Sequence, residues 1–308
     1  MEQRSYITPD PAAAAPPAVV RADLGLLVMS GIWAINFSVI KVALADLSPL
    51  AFNALRFPLA SLMVFLVLRR RGPVPLPRRA DLPAIVTLGI IGNVIYQLFF
   101  IFGIDRTLAG NAALLLAGSP ILTTVFASAI GQERVRPRVW AGVVGTFGGM
   151  ALVVAGGSGV ALGIDTLAGD LIMVAASVAW STYTVGSKRP IDRYGAVPVT
   201  AWTLWIGTPF LFLLGAPDLL ALDWAAVRPA AWASIAYAGL FGIGLAYLLW
   251  YSGVRHVGNT RTAVYSNVVP VLALLVAWAW LGEVPSAPQI AGAAIIIGGV
   301  MLARTGRT

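Results

Sequence analysis

Ser177, Ser181, Thr184 and Lys188 fall at i, i+4, i+7 and i+11 within an otherwise apolar run. That spacing lines them along one face of a helix. Polar groups are expensive in hydrocarbon, so such a face must meet protein or water. Two readings stand: hydrogen bonds that hold helices together, or the lining of a cavity. Asn93 and Gln97 form a second polar face with Tyr96 beside them, and Tyr247, Trp250 and Tyr251 bring aromatics on a later run. Amides on one wall and aromatics on another suit a small amphipathic solute. Trp250 and Tyr251 fit an interfacial aromatic belt equally well, whereas Tyr247 lies deeper. Asn36 stands one turn from Trp33, and its Asn-Phe-Ser sequon means nothing inside a membrane. The chemistry offered by these groups is recognition, not bond making.

Pro120 and Pro270 interrupt two further apolar runs. Each removes a backbone hydrogen bond and strands the carbonyl four residues earlier, at Leu116 and Ser266. Ser119, Ser266 and Asn267 adjoin these breaks, so backbone and side chains together could serve a site; packing alone is the alternative. Arg56 is the one cation well inside a run. It could anchor a substrate carboxylate, or snorkel to the outer interface and loop carbonyls, and the second reading is preferred. Lys41 and Lys188 end their runs and read as gate or interface residues, as do Trp33 and Trp180 near them. Gly142, Gly145, Gly148 and Gly149, partly mirrored by Gly292, Gly298 and Gly299, read as close helix packing.

The single histidine, His256, lies at a loop and the chain has no cysteine, so neither a metal site nor thiol chemistry is expected. The sequence has no Gly-x-Ser-x-Gly, His-Glu-x-x-His or phosphate-loop motif, which removes support for hydrolysis or ATP-driven pumping. No enzyme and no cofactor are expected. The thirteen carboxylates are assigned to loops, the tail and span ends, so transport is not expected to need a carboxylate proton relay.

The elements that must position these groups are membrane helices. Hydrophobic residues make up 58% of the 308 and charged residues 11%, well below the quarter usual in soluble domains. Ten apolar runs approach the roughly 20 residues needed to cross a bilayer, near 24–44, 50–69, 82–104, 107–130, 138–157, 167–187, 197–216, 230–254, 260–281 and 286–303. Residues 1–22, with Pro9, Pro11, Pro16 and Pro17 among alanines, read as a disordered cytoplasmic tail and not a cleaved signal peptide. Two five-helix halves follow, 23–157 and 167–304. Asp23, Ser30, Trp33 and Lys41 recur 147 positions later as Asp170, Ser177, Trp180 and Lys188. Gly89, Gly92, Gly103, Pro120 and Glu133 recur 150 positions later as Gly239, Gly242, Gly253, Pro270 and Glu283.

Seventeen of the 21 Lys and Arg residues fall in the even-numbered loops and the two termini, against two in the odd-numbered loops. Such a bias places both termini in the cytoplasm and explains the net charge of +8 without nucleic acid. Five spans per half is an odd number, so the second half must enter the membrane inverted. Inverted repeats recur in secondary transporters, with the site near the midplane between halves. The predicted class is therefore an all-α membrane protein of ten transmembrane helices in two inverted five-helix repeats, in the cytoplasmic (inner) membrane. The expected partners are a small-molecule substrate and the lipid bilayer; the sequence leaves the oligomeric state open and is compatible with a monomer.

Gly31-Ile-Trp-Ala-Ile-Asn36-Phe, Ala54-Leu-Arg56-Phe, Ser119-Pro120, Glu133, Pro270 and Leu281-Gly-Glu283 together resemble the EamA-type members of the drug/metabolite transporter superfamily. The likeness covers nearly the whole chain from residue 24. It implies a ten-helix exporter with a central cavity lined from both halves. Amino acids or similar small metabolites are the implied cargo, with drug or toxic-compound efflux as the alternative.

Overall fold

The computed structural model describes residues 17–72, 76–131, 137–156, 164–250, 252–253, 265–266 and 268–305. Among them the chain is all helix, with no strand. The first five helices are α1 (Pro17–Leu44), α2 (Pro49–Arg71), α3 (Leu82–Ile90), α4 (Tyr96–Arg106) and α5 (Ala109–Leu116). Then come α6 (Ser119–Ala129), α7 (Pro137–Gly156), α8 (Ile164–Tyr194) and α9 (Ala196–Ala221). The last three are α10 (Pro229–Ala236), α11 (Val269–Val276) and α12 (Ala287–Thr305). Among the described residues, six helices are long and apolar enough to cross a membrane: Val20–Leu44, Pro49–Arg70, Arg79–Arg106, Ala109–Ala129, Ala196–Ala221 and Pro229–Trp250. Shorter apolar helices lie at Trp140–Val153, Val269–Leu281 and Ala287–Leu302. Exposed Leu24, Leu27, Val28, Phe65, Leu66, Phe210, Leu213 and Ile290 leave the outer faces apolar, as a lipid-facing surface requires.

Boundaries differ from the sequence expectation at α1 and α9, and at α8, which runs on past 187 to Tyr194. α1 takes in residues 17–22, which the sequence assigns to the tail. Proline suits the first turn of a helix, where the missing N–H would be unpaired anyway. Pro217-Asp218, expected as a connection, instead lies inside α9, which runs on to Ala221. The Ser48 hydroxyl hydrogen-bonds the Asp218 carboxylate and ties that last turn to the start of α2. Ser48 also caps α2 by accepting from the Ala51 N–H at 3.1 Å, with Pro49 opening the helix.

The most extensive helix pairing is α7 against α12. Glycine makes it possible. A Cβ added at Gly149 would stand 2.8 Å from the Gly292 carbonyl oxygen, and one at Gly292 would stand 2.7 Å from that of Gly149. Backbone meets backbone there, as small residues allow between membrane helices. α2 packs along α9 and α4 along α8. α1 lies against both α11 and α10. The main core gathers Phe37, Ile40, Phe52, Phe100, Ile104, Leu114, Leu115 and Met173.

Candidate functional site

The fourth predicted span is broken between α5 and α6, as the proline rule requires. The Leu116 carbonyl that Pro120 leaves unpaired accepts from Ser119 Oγ at 2.6 Å. The carbonyl before it, Leu115 O, accepts from Ser177 Oγ at 3.1 Å. Ser119 O accepts from Ser181 Oγ at 2.9 Å, and that hydroxyl also lies 2.7 Å from Ser177 O. Ser177 and Ser181 are wholly buried. Two members of the polar stripe therefore join α8 to a broken helix. The other two do not: Thr184 is exposed and donates to the Trp180 carbonyl at 2.8 Å, and Lys188 is exposed.

A matching arrangement exists where α11 begins. Ser30 Oγ donates to the Tyr265 carbonyl at 2.9 Å. Ser30 and Ser177 are 147 apart, and Tyr265 and Leu115 are 150 apart. Pro270 is buried at the start of α11 and Ser266 is half-buried. Asn267 lies outside the described residues.

Between α3 and α4 the chain makes one π-helical turn, Ile91–Ile95, and after α10 a longer one, Tyr237–Leu245. Such turns widen the helix and often sit at functional sites. Each carries a glycine under a side chain from another span. A Cβ at Gly92 would run into the Tyr183 ring, and one at Gly242 would stand 2.6 Å from Asn36 Oδ1. Gly92 and Gly242 are repeat mates at 150, Asn36 and Tyr183 at 147. Trp33 Nε1 donates to the Gly242 carbonyl at 3.0 Å. Asn36 Oδ1 is buried with no hydrogen-bond partner among the described residues, at a cost of about 1–3 kcal/mol. Asn93 is buried within the shorter π turn, and α9 approaches it at Gly207, where a Cβ would collide with it.

Tyr96 is buried, 5.0 Å from the Trp180 ring and 5.8 Å from Phe100. Trp180 continues the row to Tyr183 at 5.4 Å, and Trp33 meets Trp250 at 5.7 Å. Tyr247 is partly buried against the apolar cluster that includes Phe57, Ala60 and Val94. Arg56 does not snorkel. It is 1% exposed, the largest of the fully buried side chains. Its Nε donates to Asn53 Oδ1 at 2.9 Å and its Nη2 to Gln97 Oε1 at 3.0 Å. The Phe52, Phe57 and Phe100 rings surround the guanidinium at 4.9, 5.4 and 5.9 Å. Snorkelling fails because Arg56 points between α2 and α4, where neighbouring helices close over it. Among the described residues no carboxylate pairs with it. The ion pairs there, Arg193–Asp81 at 2.7 Å and Arg228–Asp46 at 2.8 Å, tie helix ends together.

A second polar cluster gathers at the ends of α1, α4, α5 and α8. Lys41 Nζ donates to the Asp105 carbonyl at 3.1 Å. Asp170, which the sequence places at a span end, is buried. Thr107 Oγ1 donates to it, and Asn111 Nδ2 lies 3.4 Å from both its oxygens. Gln289 Nε2 in turn donates to Asn111 Oδ1 at 2.5 Å. Glu283 accepts from the Ala109 and Gly110 N–H groups at 3.0 and 3.1 Å, an anion on a helix N-terminus. Glu133, its repeat mate, lies outside the described residues.

Sequence reasoning passed over Asn53, Tyr183, Asn111 and Gln289. Asn53 carried a usable signal, standing three residues before Arg56 and so on its helix face. Asn111 and Gln289 meet only through the tertiary fold.

Comparison with known proteins agrees with this architecture. The EamA-like transporter family matches residues 20–155 and again 167–305. The uncharacterized transporter YyaM of Bacillus subtilis is 27% identical, over 91% of each chain. The probable terminal-alkyne amino-acid exporter of Streptantibioticus cattleyicolor is 30% identical, over 88% of this chain and 89% of its own. A solved crystal structure with 20% identity aligns at a TM-score of 0.63 over 94% of this chain and 97% of that one. The chain is an integral membrane protein, and it belongs to the EamA-like transporter family.

Proposed function

We propose that this protein is a secondary transporter that exports amino acids or similar small metabolites across the cytoplasmic membrane. Its ten spans form two inverted halves, 23–157 and 167–304, with both termini cytoplasmic. The carrying observation is a set of contacts made twice at the repeat displacement. Ser177 on Leu115 is repeated by Ser30 on Tyr265, and Tyr183 over Gly92 by Asn36 over Gly242. Matched junctions in opposed halves give the frame two equivalent ways to pack, which alternating access needs. Asn36, Asn93, Tyr96, Gln97, Thr184 and Tyr247 supply the substrate wall. Ser119, Ser181, Ser266 and Asn267 shape it through the helix breaks. Trp33, Lys41, Trp180, Lys188, Pro120 and Pro270 position or gate it. The amino-acid cargo draws support from the exporter of Streptantibioticus cattleyicolor, and the transporter relatives argue against an enzyme.

Cells producing and lacking the protein, compared by mass spectrometry of the medium, test this reading. One or a few amino acids or close metabolites should accumulate outside producing cells. No difference, with folded protein present in the membrane, would overturn the proposal.

A further inference from the structure

We infer that Arg56, with Asn53 and Gln97, is a carboxylate-binding site whose counter-ion is the substrate itself. The inference rests on the exporter reading and names the group by which cargo is held. A guanidinium is always charged in proteins. Here it is 1% exposed among three phenylalanine rings, and no carboxylate pairs with it among the described residues. Cation–π contacts offset part of that cost, but a buried ion is ordinarily paired. Its two hydrogen-bond acceptors among the described residues are neutral: Asn53 Oδ1 at 2.9 Å and Gln97 Oε1 at 3.0 Å. Gln97 Oε1 stands where one oxygen of a bidentate carboxylate would lie, so the amide acts as a placeholder when cargo is absent.

Gln97 also stands where it can be moved. It follows the Ile91–Ile95 π-helical turn by two residues, and such turns are less regular than α-helix. Its neighbour Tyr96 leads to Trp180 at 5.0 Å and so to α8. A carboxylate that displaces Gln97 from Arg56 would be felt by the half that packs on Tyr96. The apolar rings around the guanidinium exclude water, which strengthens a charge-assisted pair. Arg56 is thus a binding residue and Gln97 a positioning residue.

Three variants separate anchor from scaffold. Gln97→Glu places a permanent carboxylate beside the guanidinium, so it should raise the melting temperature of the purified protein. Arg56→Gln combined with Gln97→Glu leaves that carboxylate unpaired and should lower it. Transport is read in liposomes preloaded with the twenty L-amino acids or, in a second set, with their C-terminal amides. Wild type should release some acids and discriminate against the matching amides by more than about tenfold. Gln97→Glu and Arg56→Gln should each lose that release while a cooperative thermal melt shows each still folded. If Gln97→Glu fails to stabilise, or wild type releases acids and amides alike, the anchor assignment is overturned while the exporter reading stands. If Gln97→Glu stabilises and wild type releases no amino acid, the anchor stands and the amino-acid cargo falls.

Discussion

Replacing Gly292 with alanine tests the packing that sets the two halves against each other. The added Cβ would stand 2.7 Å from Gly149 O, 2.8 Å from Val153 Cγ2 and 3.1 Å from Val153 N, where ordinary contact begins at 3.4 Å. Two of these atoms are backbone and cannot rotate away, so α12 must withdraw from α7 by about 0.7 Å. Overpacking of this kind costs about 1–3 kcal/mol, and alanine returns about 1 kcal/mol of helix propensity. Gly298, on the same helix, has nothing within 4 Å of its added Cβ. Gly298→Ala should therefore keep the propensity gain and pay no packing cost. The two variants should differ by about 1–3 kcal/mol, with Gly292→Ala the weaker. At roughly 2–4 °C per kcal/mol for a large domain, their melting temperatures in detergent should lie several degrees apart by circular dichroism. Equal melting temperatures would show that the glycine contact does not set this interface.

Glu283→Ala should lose about 1–2 kcal/mol through removal of the cap on α5. Glu283→Gln should lose about half of that, because one acceptor oxygen survives, and thermal melts of the two variants check it. In this cysteine-free chain a cysteine at Ser181 should resist polar thiol reagents, since Ser181 lies wholly buried between α8 and the broken helix. A cysteine at Thr184, three residues on and exposed, should react; the reverse pattern would reassign the stripe. Reporter fusions at Thr308 and in the segment 157–164 should report opposite sides of the membrane. Same-side signals would overturn the inverted ten-span arrangement.

The sequence by itself determined the class of the protein, because hydropathy and charge sidedness answer to the bilayer and not to any partner side chain. It also located the break at Pro120, where Leu116 and Ser119 behave as the loss of a backbone hydrogen bond demands, although Pro58, Pro209 and Pro217 lie within unbroken helices. Period 3.6 placed Ser177, Ser181, Thr184 and Lys188 on one face, yet could not say what the face meets. The stripe is divided by the position of the broken span four, a partner distant in sequence. Only the tertiary structure decided that Arg56 is enclosed, because its environment is built by Asn53 from its own helix and Gln97 from another. The burial of Asp170 follows from the same cause: Thr107, Asn111 and Gln289 come from separate parts of the chain. Local pattern reports which way a side chain faces, whereas its solvent, charge partner and hydrogen bonds belong to whatever the fold sets against it.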